Sequence, residues 1–278
     1  MIESSLKSFQ APTPMNLIML LLFVVLIILM VLGARYKRNR PYAPKISARK
    51  AHKLLLNHVR FYNRLNREEQ MQFMSRAKDF LDKVRITAVG KLRLKTLDRI
   101  YVASAAIIPI FRYTDWSYNN LNEVLVYPGN FSKDFQDKGP DVNVMGMVGE
   151  GAMNRTMILS IGALRTGFEQ AGSGNTGIHE FVHLVDKADG SVDGIPEFML
   201  APELVTAWLE YVRQCIEEIR KGNMDINPYG ASNEAEFLAV VSEYFFQRPE
   251  DMKEKFPELW ALLERIYTPE LKAEDKEF

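Results

Sequence analysis

The stretch "TGIHEFVHLVDKADG", residues 176–190, decides how the rest of the chain is read. It holds two of the four histidines in 278 residues, His179 and His183, with Glu180 beside the first. Thr176 can cap a helix whose first turn contains Gly177, Ile178 and His179. On such a helix residues four apart lie on one face, about one turn from each other. Two imidazoles at that spacing can reach one metal ion, and Glu180 can take a proton from water next to it.

The pattern H-E-x-x-H is the zinc-peptidase signature for these reasons. The alternative is a half-buried helix with two idle histidines. A catalytic zinc needs a third protein ligand and an open position. Glu203 lies 20 residues after His183, a spacing found in thermolysin-like enzymes, while Glu236 and Glu243 lie in "NEAEFLAVVSEYFF". Glu236, Ala239, Val240 and Glu243 share one helical face, and acids on an otherwise apolar face need a partner such as a metal or a metal-binding histidine. Spacing alone does not choose between Glu203 and Glu236.

Outward from this segment, the pattern predicts a mainly helical α+β domain with a small β-sheet. Residues 51–84 carry apolar positions at helical spacing, with Asn66 as a cap between two helices. Residues 94–111 form another apolar helix that stops near Pro109. "NEVLVYPGNF" (122–131) and "RTMILSIGAL" (155–164) are strand candidates. Helices are expected over 199–221 and 233–247, and "PEDMKEKFPELWALLERIY" (249–267) closes the domain. "DGSVDG" (189–194) echoes a calcium loop, but its twelfth position is Leu200 where a glutamate is needed, so it reads as a turn. His52 and His58, six apart, are packing or surface residues; Cys215, the only cysteine, is a buried inert thiol and excludes an intrachain disulfide.

The N-terminus has a different composition. Leu17–Ala34 is a run of 18 residues without charge, followed by seven bases and no acid over 35–50. This predicts a transmembrane helix over 16–34 behind a short extracytoplasmic segment (1–15). A basic juxtamembrane linker (35–50) follows, placing the catalytic domain (51–268, with a tail over 269–278) on the cytoplasmic side. The expected location is a bacterial-type inner membrane, single-pass. Residues 51–278 hold 27 bases and 34 acids, which argues against nucleic acid as a partner.

"IHEFVHLVDKADGSVDGIP" and "PYGASNEAEFLAVVSEYFFQRPE", with "DWSYNNLNEVLVYPGNF", resemble the Mlc titration factor A family of zinc-dependent peptidases from about residue 55 to 268. That family's core is similar to the anthrax lethal factor peptidase domain, a zincin fold. The resemblance implies zinc held by His179, His183 and Glu236, with Glu180 as the catalytic base. It implies Tyr229 as an oxyanion donor, and Glu243 and Asp186 as acceptors for the other ring nitrogens of the histidines. The expected function is a membrane-anchored zinc peptidase, permitting an aminopeptidase, that hydrolyses peptide bonds with a metal-activated water, the strand near 155–164 holding the substrate backbone. The other expectation is a membrane-tethered regulatory protein that sequesters a transcription regulator.

Overall fold

Capping residues set the boundaries of the helices that surround a small sheet. The computed structural model describes residues 23–28, 30, 46–132, 143–149, 154–170, 172 and 174–269. Helix α1 (Ala48–His58) starts at Ser47 and is followed by the single turn α2 (Arg60–Asn63). Asn66 caps α3 (Arg67–Lys83) as expected: its Oδ1 accepts from the N–H groups of Glu68 and Glu69 at 2.9 and 3.0 Å, and its own N–H donates to Glu69 Oε2 at 2.9 Å. This reciprocal box satisfies donors that the helix cannot use itself. Helix α4 (Thr96–Ile107) ends two residues before Pro109: Ile108 still has helical backbone angles and donates to Ser104 O, but Pro109 has no N–H to continue the ladder. Residues Ile100 to Ile107 are all buried, so α4 is a central element rather than a surface helix.

Four short strands form one sheet: β1 (Arg85–Ala88), β2 (Glu123–Tyr127), β3 (Gly146–Val148) and β4 (Thr156–Ser160). Their order is β1-β2-β4-β3, with β1, β2 and β4 parallel and β3 antiparallel to β4. The predicted strand over 155–164 is shorter than expected. Ser160 ends it and its hydroxyl accepts from Ala163 N at 3.4 Å, opening α5 (Ile161–Glu169). Because β4 is paired on both sides, it has no edge to offer a substrate. Among the described residues the outer strands are β1 and β3, and β3 is the one that packs on Glu180, which corrects the expected role of the 155–164 strand.

The histidine helix, α6 (Thr176–Asp186), starts one residue earlier than expected: Asn175, not Thr176, is the cap, accepting from Ile178 N at 3.1 Å. Nine of its eleven residues are buried. A side chain at Gly177 would meet Ala105 Cβ at 2.9 Å and Leu164 Cδ1 at 3.0 Å, so the glycine lets α6 lie directly on α4 and α5. Helix α7 (Val205–Arg220) follows a 3-10 turn at Pro202–Leu204, and α8 (Glu234–Gln247) packs beside α6. Helices α9 (Pro249–Lys255) and α10 (Pro257–Tyr267) close the domain, each opened by a proline in its first turn. Phe181, Trp208 and Phe237 are fully buried in the shared core. Cys215 is buried on α7, and burial, the largest influence, pushes its thiol up to about 11. His52 bonds Tyr62 (Nδ1 to OH, 2.7 Å) and His58 packs edge-on to Tyr101; both serve packing.

The chain divides into two units, residues 1–40 and 41–278; the helices and sheet above lie in the second. The expected membrane span and the single-pass location drawn from it are corrected here. No helix among the described residues is long and apolar enough to cross a membrane. Most of the expected span lies outside the described residues; 23–28 and 30 are helical with exposed side chains. The physical reason is that a span needs about 20 consecutive helical residues, and an apolar run records side-chain chemistry without establishing helix length.

Candidate active site

Two helices carry the candidate groups. α6 places His179 and His183 one turn apart on one face. α8 supplies Glu236 from its first turn, held there by Asn233, whose Oδ1 accepts from Glu236 N at 2.9 Å. The three side chains converge: His179 Nε2 lies 3.1 Å from His183 Nε2 and 3.0 Å from Glu236 Oε2, and His183 Nε2 lies 3.3 Å from the same oxygen. Among the described residues this is the one group of three that could hold a metal ion. Four ligands around an ion at about 2.0–2.1 Å stand about 3.3 Å apart, so the three spacings fit a tetrahedral centre with one corner left over. Lone pairs at such separations repel unless a proton or a cation sits among them. Two imidazoles and one carboxylate are therefore a donor set that fits a divalent ion.

A second carboxylate supports the first. Glu243, two turns after Glu236, accepts from His179 Nδ1 at 2.7 Å and also from the backbone N–H of Asn175. A bond at Nδ1 fixes the tautomer and leaves the Nε2 lone pair directed at the centre. The expected counterpart is not formed. Asp186 accepts from Gly194 N at 2.9 Å through Oδ2, while its Oδ1 and the Nδ1 of His183 are both buried without a hydrogen-bond partner among the described residues. Burial is the chief reason the Asp186 carboxyl is pushed up to about 6.

The charges couple strongly. Burial opposes a charge on His179, but the carboxylates of Glu236 and Glu243 outweigh it and raise its pKa to about 10. Burial likewise works against ionised Glu236, and the imidazoles of His179 and His183 outweigh it, holding the carboxyl well below its usual range. Glu180 is buried beside them, and burial raises its pKa. Tyr229 projects from a 3-10 turn (Pro228–Ala231), with its hydroxyl 3.2 Å from Glu236 Oε1 and its ring 5.9 Å from that of His179. Burial first, then the Glu236 charge, pushes its phenol up to about 12, so it remains a proton donor.

The sheet edge closes the site from above. A Cβ at Gly146 would stand 2.5 Å from Glu180 Oε1 and 2.6 Å from Glu180 Cγ, so only glycine lets β3 pass this close. Met147 pairs with Ile158, and Ser160 N donates to Met145 O at 2.8 Å. By the alternation of an antiparallel pair, the backbone N–H and C=O of Gly146 and Val148 point away from β4. A cleft of about 520 Å³ lies between β3 and the histidines, walled by Val144, Met147, Val192 and Tyr229.

Of the sequence-derived candidates, His179, Glu180, His183, Glu236 and Tyr229 line this one cleft. Glu203 is exposed on the turn before α7 and takes no part in the cluster. "DGSVDG" is a turn, as read: Asp189 and Asp193 accept from the N–H groups of Ser191 and Ile195, at 2.7 and 3.1 Å. Gly146 escaped the sequence reading, although a glycine within "NVMGMV" carries the signal of close backbone approach.

Residues 34–268 match the family described as glucose-regulated metallo-peptidase M90. Several relatives share the name Mlc titration factor A. That of Pectobacterium atrosepticum is 26% identical over 215 residues, 73% of this chain and 80% of that protein. Those of Escherichia fergusonii and Edwardsiella ictaluri are 29% and 27% identical, each over 73% of this chain and 80% and 81% of the relative. A metallo-peptidase family implies a metal ion, and the His–His–Glu cluster is compatible with one. The match spans most of the sequence and includes that cluster, and this chain belongs to the glucose-regulated metallo-peptidase M90 family.

Proposed function

We propose that the protein is a zinc-dependent peptidase in which His179, His183 and Glu236 hold the ion. The observation that carries this reading is the convergence of three donor atoms 3.0–3.3 Å apart beside a buried glutamate. Two nitrogens and one oxygen with an open corner suit zinc. Zinc bound there supplies Lewis acidity for a peptide carbonyl and for water.

The chain's own groups do the rest. A peptide lying along β3 exchanges hydrogen bonds with the backbone of Gly146 and Val148, which brings its carbonyl over Glu180. Burial favours the protonated form of Glu180, so a proton taken from the attacking water is readily kept and then delivered to the leaving amine. Tyr229 turns its hydroxyl from Glu236 to the oxygen that gains charge. Glu243 keeps His179 in one tautomer throughout.

The test is metal analysis of the full chain with a peptide-library digest of wild type and Glu180→Gln. One zinc per chain is expected in both, with turnover lower by about 10³-fold in the variant. Undiminished cleavage by Glu180→Gln would end this mechanism. A second reading comes from the relatives, which are named for titration of Mlc: a regulatory protein partner. Partner binding that survives in Glu180→Gln while cleavage is lost would separate the two.

A further inference from the structure

The face of α6 that carries the two histidines continues for one more turn. His179, His183 and Lys187 fall at successive four-residue steps, and Lys187 sits at the helix end, its N–H bonded to His183 O and Val185 O. Lys187 is the one lysine or arginine among the described residues that line the cleft. It is half-buried and has no ion-pair partner among the described residues. The acids nearest in sequence are engaged elsewhere: Asp186 with Gly194 N at 2.9 Å, Asp189 with Ser191 N at 2.7 Å, Asp193 with Ile195 N at 3.1 Å. A second cavity, about 200 Å³, shares Val148 and Lys187 with the cleft and continues past the end of β3 to Arg155. The guanidinium of Arg155 donates to Asn119 O and carries a further positive charge into that cavity's wall.

The spacing matches that of an extended peptide. Gly146 packs on Glu180, and Val148, two residues on, borders the cavity with Lys187. Two residues of strand cover about 6.6 Å, and at the far end of that step Val148 and Lys187 border both this cavity and the cleft. A peptide paired with β3 and broken over Glu180 thus brings the residue two positions away to Lys187, with its side chain on the same face as the one at the reacting position.

We propose that Lys187 is a specificity-determining residue that holds a carboxylate of the substrate two residues from the scissile bond. This rests on the peptidase reading above. The carboxylate comes from an acidic side chain or from the end of the peptide chain. Both meet the same ammonium.

The test uses the full chain loaded with zinc and quenched-fluorescent peptides that differ only two residues from the cleaved bond, on either side, as Glu, Gln or Lys. A further pair ends there as free acid or amide. Wild type is expected to prefer Glu over Lys, or acid over amide, by about tenfold in kcat/KM, carried mainly by KM. Lys187→Glu inverts that order and Lys187→Arg keeps it. Equal cleavage across each set, or a preference that persists in Lys187→Glu, overturns the assignment. Anisotropy titrations of the same peptides on Glu180→Gln protein read the charge order without turnover. Charge-ordered binding with no cleavage by wild type would sink the peptidase reading and leave the carboxylate site standing. Cleavage without charge order sinks the Lys187 assignment alone, and absence of both charge order and cleavage sinks the two together.

Discussion

The two ends of α6 are built differently. At its N-terminal end Asn175 caps the helix, Glu243 holds both the Asn175 N–H and the outer nitrogen of His179, and Gly146 presses on Glu180. At its C-terminal end the outer nitrogen of His183 and one oxygen of Asp186 have no hydrogen-bond partner, and Lys187 has no ion-pair partner among the described residues. One end is over-determined and the other has spare bonding capacity. H-E-x-x-H thus specifies two equivalent-looking histidines whose support comes unequally from the rest of the fold. Groups that must hold an atom in one place gain from redundancy. Lys187, proposed to receive a variable ligand, does not need it, and His183, on its outer side, is left with the support of the helix alone.

The largest expected effect tests the tight end. Gly146→Ala puts a methyl where Glu180 now lies, and moving that carboxylate by about 1 Å should lower kcat by about 10²-fold while zinc content stays at one per chain. An unchanged kcat would show that the strand does not position the base. Next, Glu243→Gln should weaken zinc binding by about 10- to 100-fold in chelator competition, because His179 loses its charged anchor.

A pH titration sharpens the same point. The folded pKa of His179, about 10, lies above the ordinary 6.5 because Glu236 and Glu243 overcome its burial. Stability from this proton in metal-free protein is fully present below 6.5 and is lost as pH rises through about 10. The melting temperature of metal-free wild type should fall across that window, with a shallower fall in Glu243→Gln. Zinc uptake at pH 8 should release about one proton per site, read by calorimetry in buffers of different ionisation enthalpy. The smallest effect belongs to the loose end: Asp186→Asn should change zinc affinity by less than about threefold. A loss there equal to that of Glu243→Gln would erase the asymmetry.

Much was legible without coordinates. Helical spacing, the Asn66 cap and the two histidines with Glu180 between them are local properties, set by side chains within one or two turns. The identities of the acids that could complete the site were also visible, since charge on an apolar face demands a partner. Short elements were harder. β1 and β3, four and three residues long, carry too few alternations to register as strands, and β4 lost its second half to a helix that Ser160 caps. The apolar run over 17–34 was read as a membrane span on composition, and no described helix is long and apolar enough to bear that out.

The order of residues along the chain limits which chemistry is possible: two imidazoles on one helical face, a carboxylate between them, and acids within later helices. Packing in three dimensions selects Glu236 rather than Glu203 to reach the histidines, Glu243 rather than Asp186 to meet an outer ring nitrogen, and β3 rather than β4 as the edge above Glu180. The physical reason is range. Spacing along a chain controls geometry within a few turns, while the approach of residue 243 to residue 179 depends on how two helices pack around a common core.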